Sequence, residues 1–459
     1  MITLEEFRSK QIYLIGIGGA GMSGIARIMI DQGFSVSGSD ARDSPVLASL
    51  SKLGATIHVG HAAENINGAD LVVTSGAISQ SNVELRAAHL QRLPILARAE
   101  ALAILMSESI SVAVAGTHGK TTTTSMLTVA LQHSDLDPSF AIGGMLNSSG
   151  TNAHLGSGKI FVAEADESDG SLLVYRPFGA IITNIELDHV DHFADYAAVL
   201  AIFLEFVATI QQGGFLVACN DDVGVRDLLS KIKRTDLSIL TYGVEGNFVI
   251  SRTVLLPESS TALISYNGSI LGELSLQVPG EHNLANALAA LAAGVCLGAN
   301  PQTLLDGMHS FSGTRRRFEF KGEARGIRVI DDYGHHPTEI AVTLETARRY
   351  AGTGRLLVIF QPHRYSRTKA FAVEFASALS AADLLFLLEV YPASEAPIPG
   401  VTSALIAKSI DPSKVLIEPS MISMVVKVVL EAKSGDVILT LGAGDVSSLA
   451  PVIVNALSE

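Results

Sequence analysis

Residues 111 to 126, SVAVAGTHGKTTTTSM, place an apolar run, a short glycine-bracketed loop and a helical stretch in that order. A loop of this kind turns successive backbone N–H groups toward a bound phosphate, and the helix behind it adds the partial positive charge of its N-terminus. Gly116, Thr117, His118 and Gly119 form the loop, Lys120 is placed to reach β- and γ-phosphates, and the Thr121 hydroxyl to contact Mg²⁺. The longer phosphate-loop pattern wants glycine where Val114 stands, so the assignment leans on the strand-turn-helix context. Two further segments supply what the loop lacks. KIFVAEADESD puts Glu164 at the carboxyl end of an apolar run, and AIITNIELDHVDHF does the same for His189. In an open α/β sheet those ends are where a Mg²⁺ ligand belongs. Taken without the loop, Glu164, Asp166, Glu167 and Asp169 also read as a solvated acidic turn, and His189 as a hydrogen-bonded loop histidine.

A second glycine-rich segment lies near the N-terminus. QIYLIGIGGAGMSGIARIMIDQGFSVSGSD carries Gly16, Gly18 and Gly21 after an apolar run, with Asp40 ending the next one. This is the dinucleotide fingerprint in spacing and context: the glycines let backbone approach a diphosphate, and the acid accepts from a ribose or base. NAD and a UDP-sugar share diphosphate and ribose, so the loop alone leaves both open. Ser75 and Gly76, after ADLVVT, form either a second loop facing the same crevice or a plain strand-ending turn.

A third group lies toward the C-terminus. DDYGHHPTEI (331 to 340) and FQPHRYSRT (360 to 368) crowd His, Arg and Asp behind apolar runs, where such sheets bind ligands. Arg364 and Arg367 could form a planar fork for an amino-acid carboxylate, or be ordinary surface arginines. Arg315, Arg316 and Arg317 read as a solvated run from which one side chain could reach a nucleotide, and Gly442 and Gly444 as a structural turn.

The elements that must position these groups alternate throughout. Strand-like runs such as Gln11 to Ile15, Ser35 to Gly38 and Asp70 to Thr74 are each followed by a turn and a helical pattern, which predicts parallel sheets wrapped by helices. Punctuation divides the chain into 1–108, 109–313 and 314–459, with an antiparallel β-element between Ile239 and Val278. With 48% of 459 residues hydrophobic, several cores can be buried. The net charge of −14 and the lack of a basic block argue against nucleic-acid or anionic-membrane partners. Phosphate must then be held locally. Ile12 to Ile30 lacks a basic leader and contains five glycines and Arg27, so it is not expected to act as a secretion signal; no other run nears the roughly 20 residues of a membrane span. Cys219 and Cys296 are expected to be free thiols in a reducing cytoplasm.

GIGGAGMSG, GTHGKTTTT, EADESDGS, TNIELDH, PGEHNLANALAA, GTRRRFE, DDYGHHPTE, FQPHRYSRT and EVYPASEAPIPG, in this order along essentially the whole chain, resemble the Mur ligases. DDYGHHPTE, FQPHR and EVYPASE point to the alanine-adding branch. The resemblance implies an α/β protein of three domains: an N-terminal Rossmann-like domain for UDP-N-acetylmuramate, a central P-loop ATPase with a parallel sheet and small β-element, and a C-terminal Rossmann-like domain closing over the site. It implies that Gly18, Gly19, Ala20, Gly21, Met22, Asp40, His61 and Ser75 lie along the UDP-sugar. Asn283, Asn286, Arg317 and Asp332 would join the phosphate loop and Thr122 around ATP. Thr121, Glu164 and His189 would hold Mg²⁺, and Tyr333, His335, His363, Arg364 and Arg367 would meet the amino acid, with His335 positioning or deprotonating its amine. The activity implied is ATP-dependent joining of L-alanine to UDP-N-acetylmuramate by a cytoplasmic monomer or homodimer, with Lys120, His189 and His335 as catalytic groups. Several relatives carry a carbamylated lysine shortly after the His189 position; no lysine occurs here between His189 and Gln212, so no dependence on that modification is expected. The competing readings are a ligase adding a whole tripeptide to the same acceptor, an NAD-dependent dehydrogenase, and a nucleotide-switched binding protein.

Overall fold

The computed structural model describes residues 3–168 and 170–459, so Asp169 of the acidic turn lies outside the described residues. Three sheets follow one another along the chain. The first has five parallel strands in the order Thr56–Val59, Ser35–Asp40, Gln11–Ile15, Leu71–Thr74, Ile95–Ala97. Alternation along Gln11–Ile15 sends Ile12 and Leu14 to one core and Tyr13 and Ile15 to the other, as a strand covered on both faces must.

The second sheet is mixed. Its middle is parallel, with Ile110–Ala115 between Ile160–Glu164 and Gly179–Ile182, so three carboxyl ends open side by side. The β-branched stretch expected to be antiparallel divides in two. Ser238–Gly243 continues the parallel sheet beside Phe215–Cys219, and only Phe248–Leu255, Ser260–Tyr266 and Ser269–Leu276 run antiparallel, extending that same sheet. The helix Lys120–His133 is buried along most of its length and packs against Glu281–Cys296. Alanines at 287, 289, 290, 292 and 293 leave room for that close approach.

The third sheet has Ile327–Asp332, Val437–Leu441, Leu356–Phe360, Leu384–Leu387 and Val415–Ile417 in parallel, with Glu319–Ala324 antiparallel at its edge. Leu356, Val358 and Phe360 enter one core and Leu357 and Ile359 the other. One apolar cluster runs without a break through the first two domains, whereas the third has cores of its own. The third domain is therefore held to the rest mainly by polar contacts. Cys219 and Cys296 are free, and among the described residues no helix is long and apolar enough to cross a membrane.

Candidate active site at the junction of three domains

The phosphate loop leaves the strand Ile110–Ala115 at Gly116, whose φ of 130° lies where side chains are rarely tolerated. A Cβ there would also stand 2.1 Å from Thr183 Oγ1. The neighbouring segment 183–186 fixes the loop. Asn184 Oδ1 accepts from the His118 N–H at 2.8 Å, Thr183 Oγ1 donates to His118 O at 2.6 Å, and Thr117 Oγ1 accepts from the Glu186 N–H at 2.9 Å. Sequence reading gave the segment TNIELDH only the role of carrying His189; its first four residues are what holds the loop in shape.

Lys120 opens the following helix and is buried, with Nζ 2.9 Å from Glu167 Oε2 and 3.7 Å from Asp166. Burial alone would lower its pKa, but Glu167, Asp166 and Glu164 outweigh it and push the ammonium well above its ordinary range. It stays charged at any working pH. Thr121 Oγ1 donates to Glu164 at 2.9 Å, and the Gly143 N–H binds the same carboxylate at 2.8 Å. His189 Nε2 is 3.5 Å from Glu167 Oε1, and Asp166, Glu167 and His189 each offer one potential ligand atom, all within 4.8 Å of one another. His189 takes a left-handed φ of 49° next to Asp188, the kind of backbone strain that sites store. The residues expected to hold a divalent cation thus fall into two adjacent groups, Thr121 with Glu164 and His189 with Asp166 and Glu167. Among the described residues, buried Glu167 Oε1 has no hydrogen-bond partner, and carboxylate and hydroxyl oxygens predominate, so the donor set fits Mg²⁺.

Three crevices meet here. The first, about 650 Å³, is walled by Lys120, Thr121 and His189 on one side and by Arg315 to Arg317, Tyr333 and His335 on the other. The second, about 360 Å³, runs past His118, Gly119 and Thr122 to Asn283, Asn286, Arg317 and Asp332. The third, about 570 Å³, holds Gly16, Gly19, Ala20, Gly21, Met22, Asp40, His61 and Ser75. Gly18 stands just behind it: its N–H donates to Asp40 Oδ2 at 3.0 Å, so one oxygen of the acid assigned to a ribose or base already closes the glycine loop. First and third crevices share Ala20, Gly143, Glu164 and Asp166; first and second share Gly119, Arg317 and Glu339. A ligand in the N-terminal crevice can therefore extend to the phosphate loop.

The C-terminal groups divide by what already occupies them. Arg367 binds Asp188 through Nε and Nη2 at 2.9 and 3.0 Å, with both side chains buried, and Arg364 pairs with Asp191. The two arginines expected to hold a substrate carboxylate therefore clasp the central domain. His363 stacks on Tyr391 beside this clasp. His335 Nδ1 donates to Tyr333 O at 3.1 Å, leaving Nε2 as a free acceptor. Burial, reinforced by Arg367 and His363 and opposed by Glu339, pushes its pKa down to about 3. A group that weakly basic orients an amine by accepting from it better than it deprotonates it. Arg316 is half-buried and donates to Gly442 O at 2.6 Å, which gives the turn at Gly442 and Gly444 a structural role. Asp332 lines the second crevice while accepting from the Phe318 and Gly334 N–H groups, each at 2.8 Å.

Sequence reading missed Glu186 and Glu339. His118 lies between them, with Nε2 3.3 Å from Glu186 and Nδ1 3.4 Å from Glu339 of the third domain; their charges outweigh burial and raise it to about 9. It also missed Cys219, Asp221, Asp222 and Tyr242 in the second crevice. Asp221 and Asp222 follow the strand Phe215–Cys219 after Asn220, so the strand-end rule that found Glu164 could have found them.

Family models match the chain in three consecutive pieces: "Mur ligase family, catalytic domain" over residues 11–109, "Mur ligase middle domain" over 114–294, and "Mur ligase, glutamate ligase domain" over 316–444. A protein of Saccharopolyspora erythraea named UDP-N-acetylmuramate–L-alanine ligase is 51% identical over 97% of this chain and 93% of its own length. The crystal structure of UDP-N-acetylmuramate-alanine ligase from Thermotoga maritima superposes with a TM-score of 0.82 at 30% identity, covering 97% of this chain and 99% of that one. A murein peptide ligase from Psychrobacter arcticus gives 0.73 at 25% identity, covering 98% of each chain.

Proposed function

The chain belongs to the Mur ligase family, and from that premise we propose that it joins L-alanine to UDP-N-acetylmuramate at the expense of ATP, in the cytoplasm, during peptidoglycan precursor synthesis. The observation that carries this reading is that the second and third crevices both open into the first, which Lys120 lines. A nucleotide sugar in the first domain, ATP over the loop and an amine beside His335 would converge on one point.

A carboxylate does not condense with an amine in water, because its oxygen leaves poorly. The lactyl carboxylate of the sugar attacks the γ-phosphorus of ATP, forming a C–O–P bond and releasing ADP. The amine of L-alanine then attacks the acyl carbon, phosphate departs with the C–O electron pair, and the amine loses a proton. Phosphoryl transfer needs positioning and charge neutralisation more than covalent help. Lys120, held charged, supplies a fixed positive end, and the loop N–H groups orient the phosphates. His335 Nε2 accepts from the amine and aims its lone pair. Tyr333, with Arg316 and Arg317 at 4.8 and 5.2 Å from its ring, lines the crevice opposite Lys120. Thr121 and Glu164, with Asp166, Glu167 and His189 beside them, would hold Mg²⁺, which when bound neutralises phosphate charge.

The test is ADP release with each substrate omitted in turn. Turnover should require UDP-N-acetylmuramate and L-alanine together. Preference for a tripeptide over L-alanine would assign the chain to the recycling branch, and turnover indifferent to both would remove the ligase reading.

A further inference from the structure

Behind the N-terminal crevice lies a carboxylate that the proposed chemistry does not use. Glu84, in the first turn of the helix Val83–Gln91, is fully buried. Its Oε1 accepts from Tyr13 Oη at 2.9 Å, Asn65 Nδ2 at 2.8 Å and the Ala62 N–H at 3.3 Å; its Oε2 accepts from Ser39 Oγ at 2.6 Å and His61 Nδ1 at 2.8 Å. Burial alone would raise its pKa, but Ser39, Asn65, His61 and Tyr13 bind the charged form and hold it below the usual range. Neither lysine nor arginine is among these partners. A charge buried this deeply without a fixed cation is expensive if packing is its only purpose.

His61 is the one partner that reaches the crevice: it follows the strand Thr56–Val59 beside Asp40, and its side chain is 22% exposed while Glu84 shows none. A carboxylate only accepts, so the proton must sit on His61 Nδ1. In the neutral ring Nε2, on the far edge, is then unprotonated. Ser39, His61 and Glu84 are not a nucleophilic triad, since Ser39 Oγ, 3.0 Å from Nδ1, crowds the same nitrogen as the acid.

We propose that Glu84 is a positioning residue for nucleotide-sugar binding: it locks the His61 ring and tautomer so that Nε2 accepts a hydrogen bond from the nucleoside end of the UDP-sugar. This rests on reading the N-terminal crevice as the UDP-sugar site. Support from behind the contact residue is how sites hold a ring orientation that the ligand alone does not impose. Glutamine in place of Glu84 has the same shape but one acceptor oxygen instead of two, and its NH₂ faces donors. Either His61 or the Tyr13–Asn65 side loses its partner.

The experiment combines UDP titration, steady-state kinetics and ¹⁵N NMR of histidine-labelled protein, with the His61 signal assigned by its loss in His61→Ala. The free wild-type protein should show Nδ1 protonated and Nε2 bare. Glu84→Gln should weaken UDP binding and raise KM for the UDP-sugar about tenfold, as loss of one well-placed hydrogen bond does. The kcat and the KM values for ATP and L-alanine should stay within about twofold of wild type, since the change acts on ground-state binding of one substrate. In a His61→Ala background the same substitution should add nothing, and Tyr13→Phe, which removes a donor without touching His61, should leave UDP affinity unchanged. A proton on Nε2 in the free wild type overturns the inference even if Glu84→Gln fails to fold. Equal weakening by Glu84→Gln with and without His61 also overturns it. Wild-type protein that binds no UDP would remove the crevice assignment as well, whereas UDP affinity sensitive to His61→Ala but not to Glu84→Gln would remove this inference alone.

Discussion

Asp188→Asn tests whether the third domain must dock on the central one for catalysis. The substitution keeps the shape of residue 188 and takes away the anion facing Arg367. In the structure two N–H···O bonds of 2.9 and 3.0 Å join the pair, and each side chain is 4% exposed or less. The Asp188 carboxyl is held well below its usual range: burial opposes ionisation, but Arg367 overrides it. Breaking such a pair while leaving the guanidinium buried costs about 3–5 kcal/mol, and asparagine keeps one acceptor, which favours the lower figure. About 3 kcal/mol is roughly a hundredfold in an equilibrium. The third domain has cores of its own and shares no large apolar interface with the others, so this cost should fall on docking rather than on folding. The kcat/KM for L-alanine at saturating ATP and UDP-sugar should drop about a hundredfold. UDP-sugar affinity should not change. Adding Arg367→Met to Asp188→Asn should recover part of the loss, because the orphaned charge is then gone. A single variant within threefold of wild type, or a double variant no better than the single, would refute the argument that docking is governed by this pair.

Lys120→Ala should reduce ADP formation by at least about a thousandfold, since it removes the fixed charge that meets the transferred phosphoryl group. UDP-sugar affinity, measured by calorimetry, should stay within about twofold. Gly116→Ala asks a Cβ to stand 2.1 Å from Thr183 Oγ1 at a φ of 130°, and should cost at least about 2 kcal/mol of stability with a matching loss of ATP affinity, read by thermal melting and ATP titration. The His118 pKa is raised in the folded state from 6.5 to about 9, so its contribution to stability is fully present below pH 6.5 and is lost as pH rises through about 9. Melting temperatures of nucleotide-free protein from pH 6 to 10 should show that decline, and Glu339→Gln should shift it to lower pH; a profile unmoved by that substitution would show that the third domain does not hold this proton.

Local chemistry made part of the site legible in advance. Gly116 to Thr121, Glu164 and His189 were readable because each depends on one rule, that polar groups directly after an apolar strand stand at the sheet's open edge, and that rule acts within a few residues of chain. The same holds for Gly16 to Gly21 with Asp40, and for the order of motifs that fixed the family. What the chain could not disclose is which of two available partners a charged group takes once domains dock. Arg367 and Asp188 are 179 positions apart, Glu84 and His61 are 23, and His118 meets Glu339 from another domain. The first and last of these pairings are decided by how sheets with separate cores come to rest against one another, the second by how the helix Val83–Gln91 packs within the first domain. A side chain's type sets what it can bind; only burial and the approach of a distant element set what it does bind, and so whether an arginine holds a substrate or a neighbouring domain.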